Sequence, residues 1–464
     1  MHLCRRAVEF NQVIDADGTV RICGWLYDGG VVGKLSQNNM AEIYHSPEAE
    51  MIRAMHACGD HSNCNPNACP WVANQNVEEN SIDIDQIPDV PDTLLLAYEN
   101  VCNYHCVMCT IPDCMEKNKA FDMEAKYNRV DEELRKVLPY VKHLSANGLG
   151  ELFASRHILK LLSEWKPVAD PSEIKVDLET NGSLFNEKNW KQIENLGQYH
   201  LEVHITILSF DEKTYQELSG TTLPISNLID NLRFVKSLRE RGVINYLELA
   251  TVYQDKNFRT LPEFCRRCID EFGADYVRLR PFEPWVDPGI DEWLKDVRNQ
   301  YNPYHEEFLE VMKDPIFKNP KVHDWGGGND SGLGKEVHPK AMRQFKLIDK
   351  ILCDETALDT LEREMSSKSV VVYGLNTLGK FLATVLQERF TVPCLLDRNL
   401  GGSEYHNIPI KGINQLDEVP KDSAVIIALV SPTAPAVEKL LRRAGFTGKI
   451  FTAAELDELL TKKC

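Results

Sequence analysis

The run Tyr98-Glu99-Asn100-Val101-Cys102-Asn103-Tyr104-His105-Cys106-Val107-Met108-Cys109 decides how the rest of this chain is read. Its spacing, Cys-x3-Cys-x2-Cys, presents three thiolates to a metal centre with no obvious fourth. Structural zinc takes four ligands, and a [4Fe-4S] cluster normally takes four cysteines, one per iron. Three cysteines leave one iron open to bind another molecule, so the loop is a candidate reactive centre. A zinc knuckle closed by Cys114, five residues beyond Cys109, is the alternative.

Composition narrows the setting. The chain has 464 residues, long enough for about three domains. Its 43% hydrophobic and 26% charged content is ordinary for a globular protein. No apolar run approaches the ~20 residues of a membrane helix. The start, Met1-His2-Leu3-Cys4-Arg5-Arg6, carries no signal-peptide core, so a cytoplasmic location and no membrane association are expected. A net charge of -18 argues against a nucleic-acid partner, because phosphate neutralisation needs clustered Lys and Arg. A small acidic substrate remains compatible with it.

The 14 cysteines fall unevenly, five in the first 69 residues and four between 102 and 114. Two dense groups suit two metal centres better than a disulfide framework. The first group is Cys4, Cys23, Cys58, Cys64 and Cys69. Asp17-Gly18, between β-prone runs, signals a hairpin that would carry Cys4 toward Cys23.

From Thr93 onward strand-like and helix-like segments alternate. Strands are expected at 94–97, 144–147, 175–179, 202–208, 246–252 and 276–280, with amphipathic helices at 124–138, 158–165, 228–239 and 261–272. Such alternation implies parallel βαβ units and an α/β fold, with chemistry at the carboxyl ends of the strands.

The Cys102–Cys109 loop resembles the cluster loop of the radical S-adenosylmethionine (radical-SAM) superfamily. The resemblance implies a partial (β/α)6 TIM-like barrel over residues 90–325 and a [4Fe-4S] cluster on Cys102, Cys106 and Cys109. It also implies that S-adenosylmethionine occupies the open iron. Met108 stands where that family often has an aromatic residue against the adenine, and a soft thioether suits the position. Asn147-Gly148-Leu149-Gly150-Glu151 resembles the family's Gly-Gly-Glu motif, which implies that Gly148, Gly150 and Glu151 hold the methionyl ammonium. Glu179-Thr180-Asn181-Gly182 resembles a further cofactor-facing segment, implicating Thr180 and Asn181, although Asn-Gly is also an ordinary turn. Ser209 is implicated in the same way. Ser219 replaces an arginine of the family and receives no role, and Cys265 and Cys268, three apart on a helix, read as packing residues. No residue is assigned as a catalytic acid or base.

The amino-terminal cysteines resemble the SPASM domain: a cysteine, Gly18-x4-Cys23, the Ser46-Pro47 helix start, then Cys64-x4-Cys69-Pro70. Over residues 1–80 this implies one auxiliary [4Fe-4S] cluster on Cys4, Cys23, Cys64 and Cys69, with Cys58 spare. The same four ligands would hold structural zinc. SPASM domains ordinarily follow the barrel, and this one precedes it. Asp324-Trp325-Gly326-Gly327 resembles the segment that leads from barrel to SPASM, so the order resembles a circular permutation.

Residues 326–366 read as a Gly-rich linker and helical connector. Gly334-Lys335 is no phosphate loop, because Glu336 stands where Ser or Thr is needed. Residues 367–464 read as a separate α/β unit. Val370–Gly374 is a buried strand, Gly374-x4-Gly379 follows, and Asp397 lies about 20 residues on, a pattern that resembles a Rossmann-like fingerprint with Asn376 at the middle glycine. A nucleotide or sugar-nucleotide is the expected ligand, with a docking or oligomerisation domain as the alternative.

The expected activity is reductive cleavage of S-adenosylmethionine to a 5'-deoxyadenosyl radical, which abstracts hydrogen from a sugar or nucleotide-linked small molecule. Electrons would come from a donor such as flavodoxin or ferredoxin. A peptide-modifying oxidation or cross-link is the second reading, and a non-enzymatic zinc-binding assembly protein the third.

Overall fold

The computed structural model describes residues 2–461 except 27–28, 66–68, 110–119, 147–148, 283–294, 301, 326–338, 355, 398–400 and 430–433. Cys114, Gly148, the Gly-rich part of the linker and the Gly334-Lys335 pair therefore lie outside the described residues. The chain divides into two compact units, Met1–Pro281 with Glu307–Ser331, and Phe282–Glu306 with Gly332–Cys464.

The first unit opens with β1 (His2–Cys4), whose antiparallel partner is β5 (Ser81–Asp83). Between them, β2 (Phe10–Ile14), β3 (Thr19–Arg21) and β4 (Val31–Lys34) form an antiparallel meander. The hairpin expected at Asp17-Gly18 is present. Asp15 and Gly18 take positive φ of 55° and 63°, and the Asp15 side chain accepts the N–H groups of Asp17 and Thr19. A Cβ at Gly18 would also stand 2.8 Å from Val130 and 2.9 Å from Leu35, so the turn needs glycine twice over.

The remaining strands are β6 (Thr93–Ala97), β7 (His143–Ala146), β8 (Lys175–Thr180), β9 (His200–Thr206), β10 (Tyr246–Tyr253), β11 (Tyr276–Pro281) and β12 (Val322–Asp324). All seven run parallel in consecutive order. The meander does not stand apart from them. β2 pairs in parallel with β6, giving one ten-stranded sheet ordered β12-β11-β10-β9-β8-β7-β6-β2-β3-β4. The six strands read from the sequence appear within a residue or two of their expected bounds, and β12 adds a seventh.

Period-two alternation assigns the two faces. Val176, Leu178, Leu201, Val203 and Ile205 are fully buried, as are Ile158, Leu161 and Leu162 of the helix Arg156–Glu164 and Leu228, Leu232 and Val235 of the helix Ile225–Glu240. Each such side chain contributes roughly 1.5–3 kcal/mol by leaving water. The intervening residues, Lys175, Asp177, Glu202 and His204, lie on the opposite, half-exposed face. The helix expected over 261–272 is Leu261–Arg266, continued by a wider π turn over Arg267–Glu271.

In the second unit, β13 (Val370–Tyr373), β14 (Leu395–Leu396), β15 (Glu404–Tyr405), β16 (Ile408–Lys411), β17 (Ala424–Ile427) and β18 (Ile450–Thr452) form a sheet ordered β15-β16-β14-β13-β17-β18. Only the β15–β16 pair is antiparallel. Every residue of β13 is buried, Val370 and Val372 in one apolar cluster and Val371 and Tyr373 in another. Burial on both faces is why this strand reads as an unbroken apolar run.

Candidate metal centres

The cysteine loop leaves the carboxyl end of β6 and is held by the end of the helix Glu212–Ser219. His105 N–H donates to Ser219 O at 2.7 Å and Val107 N–H to Leu218 O at 3.0 Å. Gly220, at φ 63°, follows directly, and a Cβ there would lie 2.6 Å from His105 O. The hydroxyls of Tyr104 and Tyr215 are hydrogen-bonded beneath the loop. Within it, Cys102 and Cys106 are half-buried and Cys109 is exposed. Burial, with Cys102 and Cys109 close by, pushes the Cys106 thiol up to about 12. Burial likewise raises Cys102, with Glu151 and Cys109 adding to it. The three cysteines lie on one short loop, with Cys109 N–H donating to Cys106 O at 2.9 Å, and Met108 is half-buried next to Cys109.

Under the loop lies a polar floor built from the ends of β7 and β8. Glu151 is wholly buried, and its carboxylate accepts Thr180 Oγ1–H at 2.5 Å, Asn181 N–H at 2.7 Å and Phe153 N–H at 3.2 Å. Burial raises its pKa, while these donors oppose the rise. Its own N–H donates to Val101 O at 2.7 Å, tying the floor to the loop. Gly150 permits that approach, since a Cβ there would meet Val101 O at 2.5 Å and Glu99 O at 3.0 Å. Three of the Glu151 acceptor sites thus serve the protein, and the side chain anchors the floor.

Asn181 Nδ2 donates to Asn103 Oδ1 at 2.9 Å, and Asn103 Nδ2 donates to Ser183 Oγ at 2.8 Å. Asn181 Oδ1 accepts both the N–H and the hydroxyl of Ser183. Asn103, Ser183 and the Tyr104–Tyr215 pair went unassigned in the sequence, because a lone amide or hydroxyl carries no period. Ser209 is buried and its Oγ accepts Asp211 N–H at 3.0 Å in the turn after β9.

The half-exposed face of the same sheet carries a charged network that the sequence reading passed over. His143 Nε2 lies 2.5 Å from Asp177, Lys175 Nζ 3.0 Å from Glu202, His204 Nδ1 3.4 Å from Glu248 and Arg278 Nη2 2.5 Å from Glu248. Register explains the pairing, since Asp177 stands opposite Glu202 and His204 opposite Glu248. Asp177, Glu202 and His204 converge closely enough to hold a metal ion. Lys175 Nζ already lies between the carboxylates, 3.5 Å from Asp177, so the network is balanced by side chains.

The amino-terminal cysteines come together more completely. Cys4 ends β1, Cys23 follows the hairpin, and an isolated bridge pairs Leu26 with Cys64. Asn65 N–H donates to Trp25 O at 3.0 Å and Cys69 N–H to Asn65 O at 2.8 Å, which brings the later cysteines onto the hairpin. Cys4, Cys23, Cys64 and Cys69 all line one small pocket, closed over by Trp25, Trp71 and Ile52. Burial, reinforced by the three neighbouring cysteines, pushes the Cys64 thiol up to about 12. Cys58 is exposed and is not among the residues lining that pocket. Four cysteines around one small pocket offer a donor set for an iron-sulfur cluster.

Residues 4–70 match the SPASM family model, an iron-sulfur cluster-binding domain. The segment with the four-cysteine pocket is thereby marked as a domain of the kind associated with radical-SAM enzymes. An uncharacterized protein of Methanocaldococcus jannaschii is 23% identical over 171 residues, covering 35% of this chain and 38% of that protein. The chain thus matches well under half the length of that relative. No described helix is long and apolar enough to cross a membrane.

In the second unit, Gly374 takes φ 95° after β13, and Leu375 N–H donates to Asp397 Oδ2 at 3.0 Å. Asn376 caps the helix Thr377–Val385 through Gly379 N–H at 2.9 Å and donates to Ala428 O at 2.6 Å. A Cβ at Gly379 would stand 1.8 Å from Gly374 O, so that glycine serves close packing of turn and helix. Asn376, where the fingerprint has a glycine, acts as the cap that holds the turn.

Proposed function

We propose that this chain is a radical-SAM enzyme with one auxiliary iron-sulfur cluster, its seven-strand parallel array serving as the TIM-like barrel. One observation carries the reading: a three-cysteine loop sits over the Glu151–Thr180–Asn181 floor in a chain whose residues 4–70 match an iron-sulfur domain. Cys102, Cys106 and Cys109 would hold the first cluster and leave a coordination position for S-adenosylmethionine. Cys4, Cys23, Cys64 and Cys69 would hold the second. When bound, the first cluster supplies one electron to S-adenosylmethionine, whose cleavage yields methionine and a 5'-deoxyadenosyl radical able to abstract substrate hydrogen.

The chain's own residues do the positioning. Glu151 and Thr180 fix the floor, and the Asn103–Asn181–Ser183 amides and hydroxyl beside it offer donors and acceptors to a polar cosubstrate. Substrate would meet the carboxyl ends of the parallel strands, where such sheets gather chemistry. The electron would come from a flavodoxin or ferredoxin.

A sugar or nucleotide-linked small molecule is the substrate class we favour. The strand order of the second unit supports it: without the β15 hairpin strand it reads third-second-first-fourth-fifth, the order of Rossmann-like nucleotide-binding sheets. Anaerobic reconstitution with iron and sulfide, then S-adenosylmethionine and dithionite, tests the activity. We expect 5'-deoxyadenosine. Its absence at full iron content would refute the reading, as would zinc without iron or sulfide in anaerobically purified protein.

A further inference from the structure

The four-cysteine pocket contains polar side chains that no ligand count requires. His56, in the last turn of the helix Pro47–Ala57, is 6% exposed and lines the pocket with the cysteines. Its Nε2 lies 3.7 Å from Cys64 Sγ. Its Nδ1 is buried with no hydrogen-bond partner among the described residues. A proton on Nδ1 would be a buried donor with no partner in hydrogen-bond geometry, whereas a proton on Nε2 meets the Cys64 sulfur, with the Asn63 side chain beside that sulfur as a second acceptor. Geometry therefore selects the Nε2–H tautomer.

Asn80 makes the matching contact from a distant part of the sequence. It is 8% exposed, and its Nδ2 donates to Cys4 Sγ at 3.5 Å. The Asn63 Oδ1 accepts from the Cys64 thiol at 3.6 Å. Once that sulfur is a metal-bound thiolate it can only accept, so this contact is lost while those from His56 and Asn80 strengthen. Arg6, its guanidinium stacked on Phe10 and Trp25, also lines the pocket. His56 also lies with His61 and Cys64 closely enough to hold a metal ion; with four cysteines available to a cluster, neither His56 nor Asn80 is needed as a ligand.

We propose that His56 and Asn80 are N–H···S donors to Cys64 and Cys4 and together set the reduction potential of the auxiliary cluster. The assignment rests on the cluster reading above. Hydrogen bonds to ligating sulfur disperse its negative charge, which favours the reduced, more anionic state and raises the potential. They are positioning residues, acting through the two cysteines.

The test uses the full chain with Cys102, Cys106 and Cys109 changed to alanine, so that only the auxiliary centre contributes. After anaerobic reconstitution, iron is counted and the midpoint potential is followed by EPR in the parent, His56→Leu, His56→Gln and Asn80→Leu. We expect about four irons per chain throughout. The midpoint should move negative in both leucine variants and less in His56→Gln, which keeps an N–H. Unchanged midpoints at full iron content would overturn the assignment. Loss of the cluster from both His56 variants would overturn the donor role in favour of ligation or structure. A parent that takes up no iron would refute the cluster reading itself, a failure separate from the other two.

Discussion

Thr180 donates its hydroxyl proton to the buried carboxylate of Glu151 across 2.5 Å, joining the ends of neighbouring strands beneath the cysteine loop. Glu151 in turn holds the loop through Val101 O. The Thr180 hydroxyl also accepts Gly182 N–H at 3.0 Å, so one side chain fixes both the floor and the turn after β8.

Thr180→Val keeps the shape and removes both contacts. A carboxylate left short of a donor inside the protein costs on the order of 1–3 kcal/mol. We expect a lower midpoint in urea unfolding and weaker S-adenosylmethionine binding, with Thr180→Ser close to the parent. Equal stability of the valine variant would contradict the role given to this contact.

Gly150→Ala places a methyl group 2.5 Å from Val101 O, a backbone atom that cannot swing aside. The cysteine loop must shift, and the first cluster should be lost while the auxiliary one survives. Iron analysis after reconstitution should fall by about half. Full iron content in this variant would show that the loop tolerates the displacement.

Cys106→Ala should abolish 5'-deoxyadenosine formation. Cys64→Ala should spare cleavage uncoupled from substrate, because the four-cysteine site lies in a different part of the chain from the loop. Product analysis by chromatography separates these outcomes, and parallel loss of cleavage in both variants would argue against an auxiliary role.

Inside the first unit, Asp131 is buried between Tyr98 OH at 2.5 Å and His157 Nδ1 at 2.9 Å. The Asp131 hydrogen bond, only partly offset by burial, raises the His157 pKa above its ordinary 6.5. A raised folded-state value means that this pair stabilises the fold fully below pH 6.5 and that the contribution fades as pH rises through the folded value. Urea titrations of the parent and His157→Gln should therefore differ most at acid pH and converge at alkaline pH. A gap that widens with pH would reverse the assignment.

Much of the architecture was legible in the chain because periodicity is local. The β8 run Lys175-Val176-Asp177-Leu178-Glu179-Thr180 declares a strand with one apolar face, and the helix Ile225–Glu240 declares its buried stripe through Leu228, Leu232 and Val235. The cysteine spacings were legible for the same reason, each being a short motif. What escaped was pairing at long range. His204 meets Glu248 only through strand register, and Asn103 meets Asn181 only because β6 and β8 end on the same side of the sheet.

By itself the sequence determined the α/β class, six of the seven parallel strands, and two cysteine groups of ligand-like spacing. Only the tertiary structure joined the amino-terminal meander to the larger sheet through β2 and β6 and brought His56 and Asn80 onto their sulfurs. The division follows from physics. Propensity and periodicity act over a few neighbouring residues, whereas a buried donor finds its acceptor only after the packing of distant segments has excluded water from both.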